Sequence, residues 1–159
     1  DEFEMHRVRA AGNILSIRLR EILREELGGT YGVSVGYENS LPLPGYGAVV
    51  IQFGSSPENV EKLTGAVFTE VERLKAQGPT VDDVNKVKEM EKRDLETNAR
   101  QNNYWVGSLQ TVHMYGWDPA GILRRPQRTD SLTPEMLHGI FKKYFPMDRH
   151  TVVTLKPEA

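Results

Sequence analysis

The sequence predicts an α+β domain in which helices pack on one face of a mostly antiparallel sheet. Two observations carry that prediction. The hydrophobic period is near 3.6 over residues 4–27, changes to two over residues 31–53, and returns to 3.6 afterwards. The resulting order is one helix, two strands, four helices and a final strand, which lacks the regular strand–helix alternation of a parallel sheet. A chain of 159 residues suits a single domain, 1–159. That length buries roughly 68–70% of the unfolded surface, so neither disulfide nor metal is needed to fold it.

The first helix covers residues 4–27. Val8, Ala11, Leu15, Leu19 and Ile22 recur at three- and four-residue steps, and Ile14 and Ile17 add a second apolar side. A helix apolar on more than one side belongs in the interior. Gly28-Gly29 ends it, because glycine takes the left-handed conformation just past a helix. Tyr31, Val33, Val35 and Tyr37 then alternate with small residues as a strand, and residues 48–53 form its hairpin partner. The connection, residues 41–47, is a loop rich in proline and glycine. Pro57 after Ser56 opens a second helix, with a stripe of Val60, Leu63, Val67, Val71 and Leu74 stopped by Gly78-Pro79. Thr80 caps a third, with Asp83 three residues on and Val84, Val87 and Leu95 on one side. A fourth spans residues 103–115 with Trp105, Leu109 and Val112 aligned, and the Tyr104-Trp105 pair reads as core packing. An irregular stretch from Asp118-Pro119 carries Arg124, Arg125 and Arg128, which read as solvent-facing. Thr133-Pro134-Glu135 starts the last helix, with Leu137, Ile140, Phe141 and Tyr144 inward. Pro146 ends it, and residues 150–155 read as a closing strand.

Composition excludes several function classes. Acidic residues number 22 and basic ones 20, a net charge of −2, so no general nucleic-acid footprint exists. Mean hydropathy is −0.49 and no apolar run reaches the about 18 residues of a membrane span. Cysteine is absent, which removes disulfides, thiolate zinc sites and a cysteine nucleophile. The chain begins at Asp1 without a methionine or a signal stretch, as expected of a processed product or a piece of something larger.

Most motif matches fail on context. His6, His113, His138 and His150 lie too far apart to write H-E-x-x-H or H-x-x-E-H, so no metal site is expected. Gly32-Val33-Ser34-Val35-Gly36 matches the G-x-S-x-G of serine hydrolases, but that serine must sit on a strand-to-helix turn. Here the alternation continues past Ser34, so the serine lies inside a strand. Gly45-Tyr46-Gly47 lacks the third glycine and the helix of a dinucleotide fingerprint.

The informative segment is Leu23-Arg24-Glu25-Glu26-Leu27-Gly28-Gly29-Thr30-Tyr31-Gly32-Val33. Arg24 lies in the last helical turn and Tyr31 opens the strand after a double-glycine reversal. The reversal can bring a fork of N–H donors and a phenolic O–H to one end of the structure, where they could hold a peptide carbonyl or a developing oxyanion. The plainer reading is an arginine that complements the helix dipole and caps its carbonyls.

That segment resembles the arginine–tyrosine motif in the C-terminal, non-catalytic half of pitrilysin/insulinase-type (inverzincin) zinc metallopeptidases. Gly78-Pro79-Thr80-Val81-Asp82-Asp83-Val84-Asn85-Lys86-Val87-Lys88 resembles the helix start that follows in such domains. Asn102-Asn103-Tyr104-Trp105 and Gly116-Trp117-Asp118-Pro119 resemble later positions. The similarity runs in order from residue 7 to 157 and is nearest to the large bacterial PqqL-like zinc proteases.

The resemblance implies a mitochondrial-processing-peptidase-like metallohydrolase fold in which two homologous halves close like a clam shell. An H-x-x-E-H zinc site in the other half would cut the peptide, and this half would supply Arg24 and Tyr31 as substrate-binding residues. No catalytic residue and no cofactor are then expected in this chain, zinc belonging to a separate domain of the parent. The expected partners are a peptide substrate and that catalytic domain, in the same polypeptide or in a homologous subunit. The resemblance places the protein in the periplasm by analogy and leaves the cytoplasm open. The alternative is a non-catalytic structural or partner-binding subunit of the same fold. Family domains begin with strands ahead of the first helix, and this chain starts almost inside it. An incomplete sheet leaves an edge open to another chain.

Overall fold

Asp1 caps the first helix: its side chain accepts a hydrogen bond from the Glu4 backbone N–H at 2.8 Å. Glu2 and Glu4 add negative charge at the positive end of the helix dipole. Helix α1 runs Glu2–Arg20 and passes directly into a π-helical turn, Glu21–Glu26. The structure, a computed structural model, describes residues 1–30, 32–39 and 47–156. As the double periodicity required, Ala10, Ala11, Ile14, Leu15 and Leu19 are fully buried. Burial of each large aliphatic side chain stabilises the fold by roughly 1.5–3 kcal/mol, which fixes α1 as the central element. It packs against the sheet and against three other helices.

Strands β1, Val33–Asn39, and β2, Gly47–Phe53, pair antiparallel. Val33 faces Phe53, Val35 faces Ile51 and Tyr37 faces Val49, so one face of the ribbon is apolar and meets the core. Ser34, Gly36 and Glu38 occupy the other, exposed face. Gly12 of α1 stands where a Cβ would lie 3.8 Å from Val35 Cγ1, which brings the helix close along the sheet. The predicted loop at residues 41–47 lies, up to residue 46, outside the described residues.

A single 3₁₀ turn, Pro57–Asn59, leads into α2, Val60–Gln77, whose Leu63, Val67, Val71 and Leu74 are buried. Thr80 and Asp83 form a capping box at the start of α3, Val81–Asn98: the Asp83 N–H donates to Thr80 Oγ1 at 3.1 Å and the Thr80 N–H to Asp83 Oδ2 at 2.9 Å. Helix α4 spans Asn102–Tyr115, α5 Arg125–Asp130 and α6 Pro134–Tyr144. Leu137, Ile140 and Phe141 of α6 close the core over α1 and α2. The result is mostly helical, with a two-stranded antiparallel sheet covered on one face, an α+β arrangement. Among the described residues no helix is long and apolar enough to cross a membrane.

The structure corrects three sequence expectations. Trp105 and Leu109 of α4 are 37% and 51% exposed, because the helix turns Ser108 and Val112 inward instead. The stretch after Asp118 is helical: the Asp118 side chain accepts from the Ala120 N–H at 3.0 Å and starts a 3₁₀ helix, Pro119–Arg124, that runs into α5. Of its arginines, Arg128 is buried, with Nη1 2.7 Å from Glu2 Oε1 and Nη2 donating to the Gly121 carbonyl at 2.7 Å. Finally, residues 150–155 form no strand, and Leu155 is 97% exposed. A strand needs a neighbour to take its backbone hydrogen bonds, and none of the described residues supplies one there.

Candidate functional site

Arg24 lies in the π turn that ends α1. There the Leu27 N–H donates to the Ile22 carbonyl at 3.0 Å, a five-residue step, and the Gly29 N–H reaches back to the Leu23 carbonyl at 3.1 Å. Such turns insert an extra residue into the helix ladder and recur at functional sites. Leu23 is fully buried, and its neighbour Arg24 is exposed. Gly28 has φ +59°, a left-handed conformation that turns the chain off the helix at no Cβ cost. Gly29 lies so near Leu63 of α2 that a Cβ would fall 2.8 Å from its Cδ2. Thr30 then ties the turn to the sheet. Its hydroxyl donates to the Gly54 carbonyl at 2.6 Å, just past β2, and accepts from the Gly32 N–H at 3.2 Å.

A second anchor lies one turn earlier. Glu70 of α2, 5% exposed at its side chain, accepts from Arg18 Nε at 3.1 Å and from Arg73 Nε and Nη2 at 2.8 and 2.6 Å. Arg18 also donates to Glu21, the first residue of the π turn, at 2.9 Å. Donating to Glu70 raises Arg73 above its ordinary value, outweighing burial. The stem of the turn is thereby pinned by charge as well as by packing.

A family model described as the peptidase M16 inactive domain matches residues 10–91, just over half of the chain. The chain belongs to the peptidase M16 inactive domain family. This M16 inactive domain is 25% identical to a zinc protease PQQL-like protein of Arabidopsis thaliana over 98% of its own length and 18% of that protein. Its fold matches the periplasmic protease PqqL from Escherichia coli with a TM-score of 0.68 and 21% identity, covering 87% of this chain and 16% of that one. It matches the ferredoxin protease FusC, solved in complex with Arabidopsis ferredoxin, with a TM-score of 0.70 and 23% identity over 91% and 16% of the chains. The chain thus spans under a fifth of the length of each of these proteins.

Of the two residues the sequence singled out, Arg24 has no hydrogen-bond or ion-pair partner among the described residues. It caps none of their carbonyls. Arg9, Arg20, Arg100 and Arg149 likewise have no such partner among the described residues, so what distinguishes Arg24 is the fixed turn beneath it. Tyr31 lies outside the described residues, although inside the span the family model matches.

Among the described residues no three His, Cys, Asp or Glu side chains converge as a metal site. His6 is 2.9 Å from Glu91, while His138 and His150 meet the carbonyl oxygens of Lys75 and Met147 at 2.8 and 2.9 Å. Ser34 sits within β1 opposite Gln52, away from any strand-to-helix turn, so the hydrolase pattern is a coincidence of alternation. Sequence reasoning missed Glu70, although an acid between Val67, Val71 and Leu74 on an apolar stripe is itself a signal of a buried ion pair.

Proposed function

We propose that this chain is one domain of a larger zinc metallopeptidase and holds the polypeptide substrate while a separate H-x-x-E-H domain cuts it. Arg24 would donate to a substrate carbonyl near the scissile bond, with Tyr31 as its phenolic partner. The observation that carries the reading is the placement of Arg24: exposed and, among the described residues, without a partner, on a π turn clamped by Leu63, Thr30 and the Glu70 ion pairs. Zinc then resides outside this chain, which alone cleaves nothing, and the parent acts as a metalloendopeptidase. The PqqL likeness supports a periplasmic location, and the FusC complex supports a protein or peptide as substrate.

The test is the parent polypeptide carrying Arg24→Ala or Tyr31→Phe. Each should lower kcat/KM for a peptide by at least about tenfold, since lost transition-state donors cost on the order of 10²–10³. Melting should stay within about 0.5 kcal/mol for the exposed Arg24. Unchanged kcat/KM in both variants removes the substrate-contact role. Chelator-sensitive peptide cleavage by this chain alone overturns the division of labour.

A second reading, a non-catalytic partner-binding module, is favoured by the exposed Trp105, Val106 and Leu109 on α4. A coding sequence without an H-x-x-E-H domain upstream decides for that module.

A further inference from the structure

A cleft of ≈ 480 Å³ opens where the N-terminal half of α1 faces α3, α4 and α5. That is inside the range of about 300–1,000 Å³ typical of ligand sites. Part of its lining is already fixed. Arg125 Nη1 donates to Tyr104 Oη at 2.7 Å and to Ser108 Oγ at 2.9 Å, while Thr129 Oγ1 donates to Glu91 at 2.7 Å. Other lining groups are free. Arg9 and Asn13 on α1, and Asp94 and Asn98 on α3, have side chains without a hydrogen-bond or ion-pair partner among the described residues.

We propose that this cleft binds a short extended segment of polypeptide, with Asn13 and Asn98 on its peptide groups and Arg9 and Asp94 beside its charges. A carboxamide carries a donor and an acceptor side by side, the complement of a peptide unit. The charges of the lining point the same way. Three arginines and three acids line the cleft, so neither a polyanion such as a nucleic acid nor a polycation is favoured. Trp117 adds an aromatic surface for an apolar side chain. Gly107 keeps the α4 wall open, since a Cβ there would meet nothing within 4 Å.

This site is separate from the one at Arg24, which lies about three helical turns beyond Asn13 along α1. Its success or failure is therefore read independently of the parent's kcat/KM.

The chain has two tryptophans, and Trp105→Phe leaves Trp117, which lines the cleft, as the only indole in the chain. Titration of that protein with acetyl-tetraalanine amide should change its emission saturably. Gly107→Leu, which fills open space and suits a helix better than glycine, should weaken binding at least about tenfold without lowering Tm. Asn98→Ala should weaken it severalfold. Saturation in the longer polypeptide as well assigns the cleft to free peptide. Saturation in this chain alone assigns it to a segment of the parent that already fills it. No saturable change at millimolar peptide, equal titrations in the Gly107→Leu and Asn98→Ala variants, or a response to sulfate or spermidine in place of peptide would overturn the proposal.

Discussion

Replacement of Glu70 by alanine tests whether charge pins the stem of the Arg24 turn. The substitution removes the shared acceptor of Arg18 and Arg73, three hydrogen bonds in all, and leaves two guanidinium groups facing each other. Breaking a buried ion pair from one side costs about 3–5 kcal/mol. Both arginine side chains are a little over one quarter exposed, so water recovers part of that, and about 2–3 kcal/mol is the expected loss. For a chain of this size it corresponds to a Tm lower by about 5–10 °C. Urea unfolding should show the midpoint fall at an unchanged slope, the sign of lost stability with the same surface exposed. Hydrogen exchange adds a local readout, because the amides of Leu27 and Gly29 report the turn directly and should exchange faster. A variant with Met at 18 and 73 and Leu at 70 should lie near the wild type, since apolar replacement of the whole cluster removes the desolvation cost with the pairs. A Glu70→Ala loss below about 0.5 kcal/mol, within the range of ordinary surface changes, would refute the charge argument.

Two further outcomes follow from the packing and titration of α1. Gly29→Ala places a methyl 2.8 Å from the buried Leu63, an overpacking that should cost about 1–3 kcal/mol; in a Leu63→Ala background the added methyl has room and the cost should vanish, so additive effects in the double-mutant cycle would refute the contact. Glu4 accepts hydrogen bonds from Lys143 and Tyr144, both at 2.8 Å, which hold its carboxyl below the ordinary 4.5. Its folded pKa being the lower one, its contribution is complete above pH 4.5 and disappears as pH falls through the folded value. Acid titration of the Lys143→Ala, Tyr144→Phe double variant should therefore show a shallower loss of stability below that pH than the wild type.

Local chemistry was legible in the sequence wherever one element settles its own outcome. The capping box of Thr80 and Asp83 and the left-handed Gly28 depend on residues a few positions apart, and the apolar face of the hairpin on the alternation within each of its two strands. What escaped depends on distant partners. Arg128 is buried because Glu2, at the other end of the chain, meets its guanidinium, and no local pattern announces such a pair. On α4 the small polar Ser108 faces inward because Arg125 bonds it and Tyr104 together, so the apolar residues Trp105 and Leu109 are left outside. The π turn is equally hidden. Residues 21–26 satisfy ordinary helical spacing, and the shift to five-residue hydrogen bonds arises only with the close approach of Gly29 to Leu63 and the tie from Thr30 to Gly54. Tyr31, the other half of the sequence's site, lies outside the described residues.

These constraints divide α1 into a region that decides folding and a region that decides position. Its middle, from Ala10 to Leu19, is buried on more than one side, so the helix cannot rotate or slide without opening the core. Substitutions there act on stability first and on any site only afterwards. Beyond Arg20, among the described residues of the helix, only Leu23 stays fully buried, with Ile22 and Leu27 packed at the edge of the core, and the direction of Arg24 rests further on contacts at its base: Glu21 with Arg18, Gly29 on Leu63, and Thr30 on Gly54. In the proposed role, a guanidinium meeting a substrate carbonyl gains from such a base, because the entropy of ordering the turn is lost on folding and not again on binding. Variants at Gly29 or Thr30 should then resemble Arg24→Ala in their effect on the parent's kcat while leaving the buried middle of α1 intact.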